Sequence, residues 1–180
     1  MTLDVIAVEA FTKGRLDRDD PETARQLDAA LTAARRYCGW HVTPVISNAD
    51  LTLDGPGGFT LILPTLQMTA LSLASEDSVA LDVSGLSWSA RGLVRKNNGT
   101  MWTTALGGIT VRISHGYATA ADFESAVLAA IDRGAFSQEA TDAPRVIGPF
   151  QYSEPAGGTD AVWTGIERHV LDSYRLERTP

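Results

Sequence analysis

The side chains able to do chemistry are few and scattered. His41, His115 and His169 are the three imidazoles. Each falls beside a different local pattern, so the spacing assembles no proton relay and no metal pair, and each reads as a structural or surface histidine. Asp50, Asp54, Glu76, Asp77 and Asp82 offer oxygen ligands of the kind calcium takes. They lack the one-three-five spacing around a central glycine that wraps a chain about that ion, so they read as solvated turn carboxylates. Gly55-Pro56-Gly57-Gly58 resembles a phosphate cradle, but strand-like residues follow it, so no helix N-terminus faces an anion and a tight hairpin connection is expected instead. No Gly-x-Ser-x-Gly elbow, phosphate loop or His-Glu-x-x-His pair occurs. The lone Cys38 has no partner for a disulfide, a zinc cage or a redox pair. The sequence therefore predicts no catalytic residue, no metal and no cofactor.

Two rival chemistries stay open at this point. Trp88 and Trp102 fall in neighbouring strand-like runs and offer flat ring faces on which a hexose stacks, as in a β-sandwich carbohydrate-binding module. Burial between β faces is the competing reading of the same pair. An enzyme of unfamiliar type built on His115 and a carboxylate is the other. Asn98-Gly99-Thr100 meets the glycosylation pattern, but Asn-Gly is also the strongest short signal for a hairpin turn, because both central residues of that turn need positive φ. Lys13, Arg15 and Arg18, and the group Arg91, Arg95 and Lys96, read as solvated faces.

Bulk properties narrow the classes further. A length of 180 residues is enough for one sizeable core or two small lobes, since domains usually hold about 100–150 residues. No apolar run approaches the roughly 20 residues that cross a bilayer, and the acidic start Met1-Thr2-Leu3-Asp4 lacks the basic flank of a secretory signal. Neither membrane insertion nor export is expected. A net charge of −7 argues against the clustered cations that neutralise phosphates, so sequence-specific DNA binding is not expected either. The same charge suits a surface that DNA passes without sticking, and solubility accounts for it equally well.

The elements that position these residues can be read from caps and periods. A short apolar stretch, Val5 to Phe11, predicts a first helix with Gly14 near its end. Asp20 as N-cap, Pro21 at the first helical position and Glu22 at the positive end of the dipole predict a helix over 21–37. Its apolar stripe is Ala24, Leu27, Leu31 and Ala34, and Gly39 closes it. From Trp40 to Tyr117 the period shifts toward two, which predicts short antiparallel strands at 41–46, 50–53, 59–63, 68–75, 78–83, 86–95, 100–104 and 108–114. Residues 91–96 and 101–104 should pair through the Asn98-Gly99 turn. Thr119-Ala120-Ala121-Asp122 then opens a helix to about 133 with Phe123, Val127, Leu128 and Ile131 on its apolar face, and Gly134 should end it. Residues 135–158 read as an extended arm, and a last amphipathic segment sets Trp163, Ile166, Val170 and Tyr174 on one side.

The resulting expectation is an α+β protein. A helical frame of two to four helices carries an inserted antiparallel β-sandwich or barrel, and a C-terminal helix extends from it. The expected divisions are 1–39 for the N-terminal helices, 40–117 for the β insertion, 118–134 for the completing helix and 135–180 for the arm and terminal helix.

Within this layout the run Arg35-Arg36-Tyr37-Cys38-Gly39-Trp40-His41-Val42-Thr43-Pro44-Val45 is followed by Leu61-Ile62-Leu63-Pro64-Thr65, by Trp88 and Arg91-Gly92, by Val111 to Tyr117, and by Tyr174-Arg175-Leu176. In this order the chain resembles the head-to-tail connector (adaptor) proteins of long-tailed phages, of actinobacteriophage type. The resemblance implies a non-enzymatic virion protein, assembled in the bacterial host cytoplasm and located at the neck. It implies self-association into a ring, a dodecamer, beneath the portal protein, with a tail-side head-completion (stopper) protein below and DNA leaving through the centre. It further implies that the C-terminal segment docks on the portal through Trp163, Ile166, Val170, Tyr174, Arg175 and Leu176. The large β insertion departs from the compact helical adaptors.

Overall fold

Two aspartates start the first two helices. The Asp4 carboxylate accepts the Ala7 N–H at 2.9 Å and opens α1 (Val5–Phe11). Asp20 accepts the Glu22 N–H at 2.9 Å ahead of α2 (Pro21–Cys38), whose first residue has no N–H to satisfy. The structure, a computed structural model, describes residues 3–142, 146–147, 150–151 and 163–177, with side chains for 3–135 and 163–177. The chain divides into two units, one of residues 1–37 and 121–173, the other of residues 38–120 and 174–180.

The first unit is helical. On α2 the buried positions are Thr23, Leu27, Ala34 and Cys38, while Ala24, expected on the apolar stripe, is exposed. Ala24 lies about 60° round the helix from Leu27 and Thr23 only about 40° on its other side, so the buried face is centred away from Ala24. α3 (Ala121–Asp142) runs past Gly134, which was expected to end it; that glycine sits at an open position of the helix, where its missing Cβ costs only propensity. Phe123, Val127 and Ile131 form its buried face, as expected, joined by Ala126 and Ala135. An ion pair from Arg15 to Asp132 ties the segment after α1 to α3. α4 (Gly165–Asp172) is opened by a capping box between Thr164 and Glu167. The expected 135–158 arm starts inside α3 and otherwise lies largely outside the described residues, apart from a two-stranded ribbon of β8 (Val146–Ile147) and β9 (Phe150–Gln151).

The second unit is built from β1 (Ile46–Leu53), β2 (Thr60–Ile62), β3 (Met68–Glu76), β4 (Val79–Leu81), β5 (Leu86–Trp88), β6 (Leu93–Lys96) and β7 (Ile109–His115). They form an antiparallel sheet in the order β1-β7-β3-β4 and a second in the order β2-β6-β5. β7 alternates buried and half-buried along its whole length, the signature of a strand with one face on a core. Leu71, Ala74, Ile109, Val111 and Ile113 from the larger sheet and Leu61, Leu86 and Val94 from the smaller one share a single core with Leu63, Met68 and Trp102. The fold is therefore α+β, with two antiparallel sheets over a common core and no closed barrel.

Two expected strands are not strands. Residues 41–45 form an irregular turn with a cis Thr43–Pro44 bond and Val42 at φ 59°. Residues 101–104 do not pair with β6, whose two edges are taken by β2 and β5. The expected turn with Asn98 and Gly99 both at positive φ is not the one formed: Gly99 N–H donates to Lys96 O at 3.2 Å, centring the turn on Asn97-Asn98, only Gly99 has positive φ, and the chain then runs beside the glycine segment. Trp102 N–H donates to Gly58 O at 2.9 Å, and Gly57 and Gly55 N–H donate to Thr103 O and Ala105 O at 3.0 and 2.9 Å. Gly55-Pro56-Gly57-Gly58 is thus no hairpin, since β1 and β2 belong to different sheets. Its glycines permit contact, because a Cβ on Gly55 would lie 2.0 Å from Thr103 O. Among the described residues, no helix is long and apolar enough to cross a membrane.

Candidate functional site

Folding brings two of the three histidines together, at the end of β7 where the β unit begins and ends in sequence. His115 is buried, and its ring meets that of His41 edge-on with centroids 4.4 Å apart. His41 Nε2 lies 2.8 Å from Pro44 O, and Trp40 stacks toward His115 at 6.4 Å. His115 Nδ1 is buried with no hydrogen-bond partner. Burial, and then the neighbouring His41, push the His115 pKa down to about 4. A base this weak is poorly matched to proton transfer near neutral pH. His169 is on the exposed side of α4, in the other unit.

Four of the five carboxylates are separately employed. Asp50 forms a two-pronged pair with Arg112 across β1 and β7 at 2.7 and 2.9 Å, and this hydrogen bonding holds its pKa low. Asp54 accepts the Gly107 N–H at 2.7 Å, and Asp82 caps the turn at Ser84. Asp77 leads the exposed turn from β3 into β4. Glu76 is partly buried on β3, where desolvation works to raise its pKa. The Lys96 ammonium and the Thr103 N–H, at 2.6 Å, outweigh that and hold it below the usual carboxylate range. Among the described residues, no group of three or more His, Cys, Asp or Glu side chains is placed to hold a metal ion.

The two tryptophans do not make a platform. Trp102 is 2% exposed and lies under Lys96, whose Nζ sits 4.7 Å from the ring centroid, while Trp88 is 40% exposed. With one indole buried, the stacking surface that a carbohydrate module needs is absent at this pair.

What the fold does assemble is the set of short sequence words on which the family resemblance rests. They meet in two junctions, both in the β unit. At the first, Cys38–Thr43, Gly116–Tyr117 and Tyr174–Leu176 converge. Tyr117 N–H donates to Val42 O at 2.8 Å, Leu176 N–H donates to Cys38 O at 2.8 Å, and Trp40 Nε1–H donates to Tyr174 O at 2.7 Å. Tyr117 and Tyr174 meet edge to face at 5.4 Å. Gly116, at φ 114°, admits no side chain, since a Cβ there would lie 2.5 Å from His41 Nε2. At the second junction, Leu63 N–H donates to Gly92 O at 2.8 Å and Met68 N–H donates to Ala90 O at 2.7 Å. Gly92 has φ 74°, and a Cβ there would lie 2.9 Å from both Leu63 O and Thr65 O. Words as far apart as Trp40 and Tyr174, 134 residues, are thus single structural features, a relation that spacing alone could not reveal.

The expected docking residues are distributed differently from the sequence expectation. Trp163 is buried, Val170, Tyr174 and Leu176 are half-buried, Arg175 is exposed, and Ile166 is 83% exposed. The buried stripe of α4 is instead Trp163, Glu167 and Leu171, at steps of four. Glu167 can occupy an inward position because Arg133 on α3 donates two hydrogen bonds to it, at 2.7 and 2.9 Å, and the Thr164 N–H adds a third at 2.7 Å. Its burial works to raise the pKa, but Arg133 and Thr164 prevail and hold it low. Local sequence gives no sign of this inward position, since the partner of Glu167 lies 34 residues away.

The sequence matches no protein-family model and no curated protein. The fold, however, is similar to chains of solved particles. One is from the neck of a native gene transfer agent (GTA) particle computed with C12 symmetry, with a TM-score of 0.59 at 13% identity, covering 100% of this chain and 94% of that one. A second is from the neck of an empty GTA particle computed with C6 symmetry, with a TM-score of 0.59 at 16% identity, covering 100% and 95%. A third, from the virion of the native GTA particle, has a TM-score of 0.58 at 15% identity over 100% and 95%. In fold, over its entire length, this chain is similar to chains solved in the necks and virion of a phage-like particle.

Proposed function

We propose that this protein is a structural component of the neck of a phage-like particle, a head-to-tail connector that forms a ring beneath the portal protein. The observation that carries the reading is the full-length fold likeness to chains from GTA necks, helices and β unit together, at TM-scores of 0.58–0.59. A likeness confined to the β unit would have fitted any small sheet protein. The resemblance of the junction-forming words to adaptor proteins of long-tailed phages supports the same reading, and the C12 and C6 symmetry of the necks fits a ring of twelve copies. Contacts in such a ring are head-to-tail, so each copy presents two different complementary surfaces.

In this role the protein is mechanical, not enzymatic. It holds a tail-side stopper protein to the portal, assembles in the host cytoplasm, resides in the virion neck and lets DNA pass. The charge of −7 suits a channel wall that repels phosphates. Portal docking falls to the C-terminal segment, with Ile166 and the Tyr174-Arg175-Leu176 strip as the contact residues and Trp163 and Val170 supporting α4. Ile166→Asp provides the test: the side chain is 83% exposed, so folding stability should stay within about 0.5 kcal/mol of wild type. Attachment of the protein to tailless, DNA-filled heads should fall at least tenfold in a sedimentation assay. Undiminished attachment would remove Ile166 from the contact.

A further inference from the structure

Tyr174, Arg175 and Leu176 follow α4 directly, yet they belong to the β unit, and the structure shows what holds them there. The contact is aimed mostly at main chain. The Trp40 indole N–H donates to Tyr174 O at 2.7 Å, and Cys38 O accepts the Leu176 N–H at 2.8 Å. Gly39 holds the left-handed φ of 83° that favours glycine, and Leu176 packs over it, its Cδ1 at ordinary contact distance, 3.5 Å, from where a Cβ would stand. The Tyr117 ring closes the far side against Tyr174. This is how a strip of protein holds an extended peptide: the backbone is bonded at two points and alternate side chains, Tyr and Leu, are seated.

We propose that the Cys38–Trp40 strip, with Tyr117, is a latch that holds Tyr174–Leu176 in the unassembled chain and competes with the partner that receives the same residues. The inference rests on the docking reading above, because a carbonyl already accepting from Trp40 and an amide already donating to Cys38 are not open to a second partner. The latch sets a threshold: the partner binds only the released fraction, and its apparent affinity falls by that fraction. Premature attachment of the free protein is thereby suppressed, and weakening the latch strengthens docking by the same factor.

The test uses the full-length chain with two variants that leave the docking residues intact. Trp40→Phe removes the indole donor, and Tyr117→Leu removes the edge-to-face contact if the first variant fails to fold. Amide hydrogen exchange at Leu176 reports release of the segment, exchange at Ile113 in the core reports folding, and immobilised portal rings report docking. The latch predicts Leu176 exchange about fivefold faster in Trp40→Phe, as expected for one lost hydrogen bond, with Ile113 unchanged and portal affinity tighter by the same factor. Faster exchange with unchanged or weaker portal affinity overturns the latch and leaves docking standing. Unchanged exchange at Leu176 in both variants overturns it as well. Failure of all three proteins to bind portal rings instead overturns the docking reading, whatever the exchange shows.

Discussion

At the residue scale, Lys96, expected on a solvated face, and Glu76, expected as a solvated turn carboxylate, prove instead to be a partly buried structural tie, and burial decides how much such a pair matters. Lys96 and Glu76 face each other with side chains 9% and 16% exposed and bridge the smaller sheet to the larger. Removing one partner strands the other, so Lys96→Met should lower unfolding free energy by about 3 kcal/mol in urea titration. The exposed Asp50–Arg112 pair is screened by water, and Arg112→Gln should leave the urea midpoint unchanged. A small effect of Lys96→Met would mean that Glu76 is served well enough by the Thr103 N–H alone. His115 makes a pH prediction of definite sign. Its folded pKa, about 4, lies below the ordinary value, so its contribution to stability is fully present above pH 6.5. That contribution is lost as pH falls from 6.5 toward 4, by at most about 3 kcal/mol. Denaturation curves of His115→Phe should lose this acid-side slope if His115 causes it, and a slope that persists assigns it to other groups.

At the element scale, caps and periods were legible and long-range partners were not. Asp20-Pro21 fixed the start of α2, and the alternation of Ile109 to His115 marked β7, because both signals are local. The rotation of α4 was illegible for the opposite reason: its buried stripe passes through Glu167, which only Arg133, on another helix, makes tolerable inside. The 101–104 segment failed in the same way, since a turn signal gives the reversal but not which neighbour the returning chain will choose. The words of the family resemblance were legible as words; that Cys38–Trp40, Gly116–Tyr117 and Tyr174–Leu176 are one junction was not. Gly92 tests how tightly the second junction is built. With φ 74° and carbonyl oxygens at 2.9 Å from a Cβ position, Gly92→Ala should cost about 2 kcal/mol and release the Leu63–Thr65 turn, seen as faster exchange of the Leu63 amide. A neutral substitution there would mean that the turn relaxes freely.

At the scale of the whole molecule, the α+β architecture followed from the switch of period along the chain, whereas the proposed role rests on resemblance and on full-length fold likeness. No residue-level signal names a neck protein, because its work is geometric: it needs surfaces that close a ring and a terminus that reaches a neighbour, and neither leaves a motif. The proposed role divides between a helical unit and a β unit that has its own core and carries Tyr174–Leu176. Electron cryomicroscopy of particles made with this chain tests the central claim most directly. The account predicts twelve copies of the fold in a ring at the neck, each with its C-terminal segment against the portal. A neck reconstructed to side-chain detail in which this chain is absent, or occupies the capsid shell or tail tube instead, would contradict it.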